Sequence, residues 1–329
     1  MEDVLLVVAI VVALGFDFTN GFHDTANAVA TSISTRALSP RVAVAVASVA
    51  NLIGAFVTTA VAKTVGKGII DTGLANTRTV LAALIGAIAW NLLTWWFGLP
   101  SSSSHALIGG LVGAAMAQSW TKGVQWHGLA HKVVLPAFLA PTIAFGVAFV
   151  LLILIFWIFQ RVPAAAANRG FRLGQLLSGT FVAYTHGAND AQKTMGVIAL
   201  ALFAHGSIDH FYIPTWVKIA AGLAIALGTY VGGWRIMRTL GQRLYKMEPA
   251  AGFSAQVSAG AVIDVATRLG YPLSTTHVIS GAVLGAGSTR RLSAVRWGIA
   301  GNIVMAWFLT IPAAALVAAA FYWPIQAIF

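Results

Sequence analysis

Two carboxylates stand out by their surroundings. Asp24 and Asp190 each lie in otherwise apolar or small-residue sequence, and each follows a glycine at the same spacing, in Gly21-Phe22-His23-Asp24 and Gly187-Ala188-Asn189-Asp190. A carboxylate within a lipid-embedded helix costs about 2.5 to 3.5 kcal/mol on insertion scales, so it marks an ion path or a binding site by default. Asn27 lies three residues beyond Asp24 and shares its helical face; Lys193, beside Gln192, takes the corresponding place in the second motif. A carboxylate with an amide oxygen can hold Na⁺ or a proton, and Lys193 adds positive charge suited to an anion. Asp24, Asn27 and Asp190 are therefore expected to hold a coupling ion, and Asn189, Gln192 and Lys193 to help hold a substrate.

A second pair of motifs supplies hydroxyl groups. Pro100-Ser101-Ser102-Ser103-Ser104-His105 corresponds to Pro272-Leu273-Ser274-Thr275-Thr276-His277, each leading into an apolar, glycine-spaced run. Proline followed by Ser and Thr reads as a helix start, where the side chains cap free N–H groups. Such an end, with its unpaired donors and the positive pole of the helix dipole, suits a tetrahedral oxyanion. Ser102, Ser103, Ser104, Ser274, Thr275 and Thr276 are the expected anion ligands. The simpler reading of either motif alone is the capping of a membrane hairpin. His23, His105, His186 and His277 flank these motifs and are candidates for a proton relay, although a lone histidine is more often a hydrogen-bonded structural residue. The histidines show no tight ligand spacing, so no metal site is expected.

Groups of this kind need a scaffold, and composition says which. Of 329 residues, 58% are hydrophobic and 9% charged, against roughly 25% charged in a soluble domain. Too few charges remain to clothe a water-facing surface, so the solvent for the apolar runs is lipid. The formal charge of +11 does not point to nucleic acid, because most Lys and Arg fall between apolar segments, as do Arg235, Arg238, Arg243 and Lys246. With no cysteine there are no disulfides or thiolate metal sites. Met1-Glu2-Asp3 lacks the basic start of a cleavable signal and is expected to open the first helix.

Several apolar stretches reach the roughly 20 residues that a helix needs to cross a bilayer. Shorter ones adjoin breaks expected at Thr19-Asn20-Gly21, Leu99-Pro100-Ser101, His186-Gly187 and Tyr271-Pro272. Short helices ending on such breaks are a mark of discontinuous spans and hairpins, which tolerate irregular backbone only beside a cavity. The fold class is thus all-α, a polytopic membrane protein. The paired motifs recur in the same order 166 and 172 residues apart, and Pro141 and Pro312 match at 171. This argues for a duplication: a first repeat over 1–161, a short linker over 162–169 and a second repeat over 170–329. Basic residues follow the first Asp motif (Arg36, Arg41) but not the second, and follow the second Ser/Thr motif (Arg290, Arg291, Arg296) more than the first. Equivalent loops with opposite bias lie on opposite sides of the membrane, so the repeats are inverted, the linker cytoplasmic and both termini outside. Lys63, Lys67 and Arg78 fit that scheme poorly.

The run Gly21 to Thr31, the segment Phe97-Gly98-Leu99-Pro100 with Ser102 to His105, and His186 to Lys193 resemble the inorganic phosphate transporter (PiT) family, in particular its bacterial, low-affinity, proton-coupled members. Together with Pro272 to His277 the resemblance spans nearly the whole chain. It implies a phosphate symporter of two inverted repeats, with hairpins meeting at a central site, assembled as a homodimer and without a cofactor. The cargo is inorganic phosphate, free or as a neutral complex with a divalent metal, and the coupling ion is H⁺ or Na⁺. On the family's signature positions fall Asp24, Asn27, Asn189 and Asp190. Many relatives carry a long hydrophilic insert between the halves, which is absent here. The alternatives are a transporter of sulfate or another oxyanion and a phosphate channel. An enzyme is not expected, since no nucleophile with a base and an orienting group stands out.

Overall fold

The computed structural model describes residues 1–329, except for the side chain of Gln242. The first half contains α1 (Glu2–Ser34), α2 (Pro40–Gly54), α3 (Ala60–Lys67), α4 (Thr77–Phe97), α5 (Ser103–Ser119), α6 (Trp126–Leu129) and α7 (Leu135–Ile158), the last two joined through a π-helical turn, Ala130–Val134. The second half contains α8 (Ala164–Ala204), α9 (Thr215–Val231), α10 (Trp234–Arg238), α11 (Pro249–Arg268), α12 (Thr275–Ser288) and α13 (Trp297–Ile328). The chain is a multi-pass membrane protein: α1, α4, Trp126–Ile158 and α13 are each long and apolar enough to cross, and α9 and α10 form a further span bent by 57°.

The outward surface shows why lipid suits this chain. Along α7, Ala140, Ala144, Ala148, Leu152 and Ile155 point inward at helical spacing, while Leu139, Ile143, Val150, Ile153 and Trp157 are exposed. Both faces are apolar, as for a helix with hydrocarbon on one side and protein on the other. Small residues line the inner face because helices in lipid associate by close backbone approach.

Two of the expected breaks do not exist. α1 passes through Thr19-Asn20-Gly21 and α8 through His186-Gly187 without interruption. The glycines there mark helix crossings instead: a Cβ on Gly21 would lie 2.4 Å from the Ile225 carbonyl of α9, and one on Gly187 would lie 2.1 Å from the Asn51 carbonyl of α2. The linker 162–169 is likewise helical from Ala164 onward, as the first turns of α8. The true breaks are at Gly98 and Gly270, which end α4 and α11 with left-handed φ of 64° and 78°. Proline follows two residues later in each case and cannot continue the helix.

The repeats interlock. Helix α5 packs on α13 and α12 packs on α7, so each hairpin is held by the last long helix of the other repeat. The contacts run through Gly-x-x-x-Gly pairs: Cβ atoms on Gly109 and Gly113 would meet the Ile311 and Ala315 carbonyls at 2.5 and 2.0 Å, and on Gly281 and Gly285 the Pro141 and Phe145 carbonyls at 2.4 and 2.1 Å. Pro141 and Pro312 thus recur because each sits where a hairpin helix crosses. Two apolar clusters result, one with the α4–α5 hairpin and one with the α11–α12 hairpin. Both termini lie together, since Arg78 donates to Glu2 at 2.7 Å and to the Phe329 carbonyl at 2.8 Å. We call this the terminal face, and the face carrying residues 159–163 the linker face.

Candidate functional site

The two hairpin tips are built alike. After Gly98, Leu99 N–H returns to the Thr94 carbonyl at 2.9 Å; after Gly270, Tyr271 N–H returns to the Ala266 carbonyl at 2.9 Å. Ser102 then caps α5 by accepting from His105 N–H at 3.1 Å, and Ser274 caps α12 by accepting from His277 N–H at 3.2 Å. The capping reading therefore holds for these two hydroxyls. Ser103, Ser104, Thr275 and Thr276 occupy the first turns, beside helix N–H groups that have no intrahelical acceptor. The tips touch: Ser104 donates to the Leu273 carbonyl at 3.0 Å.

Both aspartates converge on them. Thr276 Oγ1 donates to Asp24 at 3.4 Å, and Thr275 Oγ1 to Asp190 at 3.4 Å. All these groups are buried. Asp24, His186 and Asp190 bring a ligand atom each within 4.8 Å of one another, a set able to converge on one cation. Sequence spacing could not show it, because its members belong to different repeats. Asn27 donates to Thr276 at 2.9 Å and to Thr275 at 3.3 Å, while its Oδ1 is buried without a hydrogen-bond partner.

The two histidines of the Asp motifs differ from those of the tips. His23 Nδ1 lies 2.6 Å from Asp24, with its Nε2 at 3.0 Å from Thr94. His186 Nδ1 faces Asn51 Oδ1 at 3.0 Å, and its Nε2 lies 3.2 Å from Asp190. Asn51 donates its own amide to Thr229 at 2.8 Å, so Nδ1 must be the donor to Asn51. Nε2 then carries hydrogen toward Asp190 only when the ring is protonated. His105 and His277 instead pack on each other at 4.7 Å, with His277 stacked on Trp307 at 3.9 Å. They border an apolar cavity of about 520 Å³ with Phe138 and Phe308, whose lining includes neither aspartate. No described hydrogen bond links either ring to Asp24 or Asp190.

Three expected substrate ligands have donors or acceptors engaged by the protein itself. Gln192 accepts from Val61 and Ala62 N–H at 2.9 and 3.2 Å, capping α3. Asn189 donates to Thr267 at 2.8 Å and to the Tyr271 carbonyl at 3.1 Å, fastening the neck of the second hairpin, while its Oδ1 is buried without a partner. Lys193 places its ammonium against Asp190 Oδ1 at 2.5 Å, the Leu273 carbonyl at 2.7 Å and the Ser104 hydroxyl. An ammonium has three hydrogens. All three are taken, leaving none for an anion in this conformation.

Other buried polar groups were passed over in the sequence. Asp17, two turns before Asp24 on the same face of α1, is fully buried with neither carboxylate oxygen hydrogen-bonded; the rule that singled out Asp24 applies to it equally. Asn20 and Asn91 are also buried with unpartnered atoms. Gln256 of α11 donates to Thr31 at 2.5 Å and Ser32 at 2.7 Å and accepts from Ser178 at 2.7 Å. Its signal was a glutamine among small and apolar residues, from Phe253 to Ile263.

Comparison with known proteins places this arrangement. A family model described as "Phosphate transporter family" matches twice, over residues 20–169 and 159–318. The chain is 51% identical over 320 residues to a protein of Mycobacterium tuberculosis, covering 97% of this chain and 77% of that one. It is 50% identical to one of Rhizobium meliloti (97% and 96% covered) and 44% identical to one of Bacillus subtilis (99% and 100% covered). Each of the three is named a probable low-affinity inorganic phosphate transporter. A solved structure, "The sodium-dependent phosphate transporter", superimposes with a TM-score of 0.91 at 26% identity, over 99% of this chain and 100% of that one. The double match follows the duplication, and the hairpin fold is shared over the full length. This chain belongs to the phosphate transporter family, a family of membrane transporters rather than enzymes.

Proposed function

We propose that this protein is a secondary active symporter that imports inorganic phosphate by alternating access, coupled to H⁺ or Na⁺. The observation that carries the reading is the meeting of two hydroxyl-rich helix starts beside two buried carboxylates, Asp24 and Asp190. The N–H groups of the two first turns and the Ser103 hydroxyl offer neutral donors to a phosphate oxyanion, and Ser104, Thr275 and Thr276 join them by turning from the Leu273 carbonyl, Asp190 and Asp24. Asp24 with Asn27, and Asp190, hold the coupling cation, which lowers the net charge moved with the anion. Phosphate travels as the free anion or with a divalent metal that the Asp24, His186, Asp190 set could share.

Each face carries a basic mouth. Lys63, Lys67 and Lys132 surround a cavity of about 640 Å³ on the terminal face, and Arg36, Arg172 and Lys246 one of about 380 Å³ on the linker face. Positive charge at both mouths concentrates an anion. It also gives Lys63 and Lys67 a reason to stand on a face that their charge would otherwise place inside. We orient the linker face to the cytoplasm, where Arg36, Arg41, Arg161, Arg172, Arg290 and Arg291 gather. We propose a homodimer as the assembled form.

The test is uptake of labelled phosphate by proteoliposomes under separately imposed pH and sodium gradients. Accumulation above the external concentration with one gradient supports the symporter; equilibration alone would indicate a channel, and equal competition by sulfate a broader oxyanion carrier.

A further inference from the structure

The two halves of the site are related by sequence position, and one pair of equivalents is chemically unlike. Asn27 and Lys193 stand three residues after Asp24 and Asp190. Their partners are also equivalent: Asn27 donates to Thr276, and Lys193 to Ser104, the matching hydroxyl of the other tip. The Lys193 ammonium meets only oxygens, namely a carboxylate, a hydroxyl and a backbone carbonyl. An alkali cation accepts the same donor set. By sequence position the equivalents of those three residues are Asp24, Thr276 and Ser101; of these Asn27 bonds to Thr276, which itself donates to Asp24 at 3.4 Å, and Asn27 Oδ1 is buried and unpartnered. One half of the site thus carries its own positive charge, and the other offers oxygens to a cation.

We propose that the Lys193 ammonium is a tethered coupling cation, filling permanently the position that the internal symmetry relates to the Asp24–Asn27 site. Under the symport reading above, each cycle then needs one exchangeable cation at this pair of positions where two would otherwise be required. The tether also explains why a fully buried lysine is present without a hydrogen to spare. It joins Asp190 of α8 to both hairpin tips, so closure over the substrate at this corner does not wait for an ion to arrive.

The test is Lys193→Asn, which copies Asn27 into the second position, with Lys193→Gln as a second variant should the first not be recovered folded. In proteoliposomes, the variant's phosphate uptake should depend on sodium or proton concentration more steeply than the wild type's, with a Hill coefficient rising from about 1 toward about 2, and its lost rate should be restored by raising that cation. Purified in detergent without phosphate, the variant should gain a cation-dependent rise in melting temperature, in sodium chloride against choline chloride, beyond any shown by the wild type. A folded variant with a raised KM for phosphate but unchanged cation order would make Lys193 a substrate ligand and overturn the proposal. So would a variant whose melting and uptake ignore the added cation. Failure of the wild type to accumulate phosphate under either gradient would instead sink the symport reading, and the melting experiment would still decide the tether.

Discussion

The paths from the central site to the two faces are made of different material. Toward the linker face runs a buried polar column: Asn27, Thr31, Ser32 and Thr35 on α1, Gln175 and Ser178 on α8, and Gln256 on α11. Thr31, Ser32 and Ser178 bond to Gln256, Thr35 donates to Gln175 at 2.9 Å beyond that cluster, and the column ends at the cavity lined by Arg36, Arg172 and Lys246. Toward the terminal face, beyond the buried Asp17 and Asn20 of α1, the equivalent positions are Val197, Ile198 and Ala201 on α8, Ala9 on α1 and Leu84 on α4, all within one apolar cluster. A column of hydrogen bonds can be opened by exchanging each bond for one to water, at a net change of about 0.5 to 1.5 kcal/mol per bond. Opening the dry side exposes apolar surface at about 25 cal/mol per Å². Under the alternating-access proposal the two gates therefore differ in kind: one unzips, and the other must move as a packed block.

The comparison can be broken most severely where the two regions meet. Asp24→Asn or Asp190→Asn should abolish gradient-driven phosphate uptake while leaving a folded protein; normal coupled uptake by either variant would remove the carboxylates from the ion site. Next in size, Leu84→Gln brings an amide into the dry half without the partners that serve Gln256, leaving a buried polar group unsatisfied. We expect a loss of about 1 to 3 kcal/mol in stability, read by thermal denaturation in detergent. The converse, Gln256→Leu, makes the column resemble its apolar counterpart; phosphate binding should persist while turnover falls about tenfold, equivalent to about 1.4 kcal/mol on the barrier. Unchanged turnover there would mean that release does not pass Gln256. The smallest effect is expected for Ser102→Ala and Ser274→Ala, each removing one helix cap at about 1 kcal/mol. Similar losses for the two would confirm that the tips remain equivalent where the gates are not.

Much of this was legible along the chain. Low charge and long apolar runs gave a membrane protein, and the recurrence of the Asp and hydroxyl motifs gave the duplication and the convergence of Asp24, Asp190 and the tips. Opposite charge bias of equivalent loops gave the inversion as an expectation. The two misplaced breaks share one cause, which is that a glycine in sequence has two structural meanings. At Gly98 and Gly270 it ends a helix by adopting positive φ, whereas at Gly21 and Gly187 it lets one helix pass close to another. Local sequence cannot choose between these, because the neighbouring backbone that makes the contact lies far away in the chain.

The same distinction separates what the sequence determined from what the tertiary structure decided. Residue type and order fixed which side chains are costly in lipid, and hence which must have a use. Hydrogen-bond valence is satisfied only in three dimensions. That is why Gln192 and Asn189, placed beside Asp190 by sequence, turn to cap α3 and to fasten a hairpin neck. It is also why Lys193 has every hydrogen taken and Asn27 keeps an oxygen free. Chain order brought these groups near one another, and the packing of two interlocked repeats determined the partner of each.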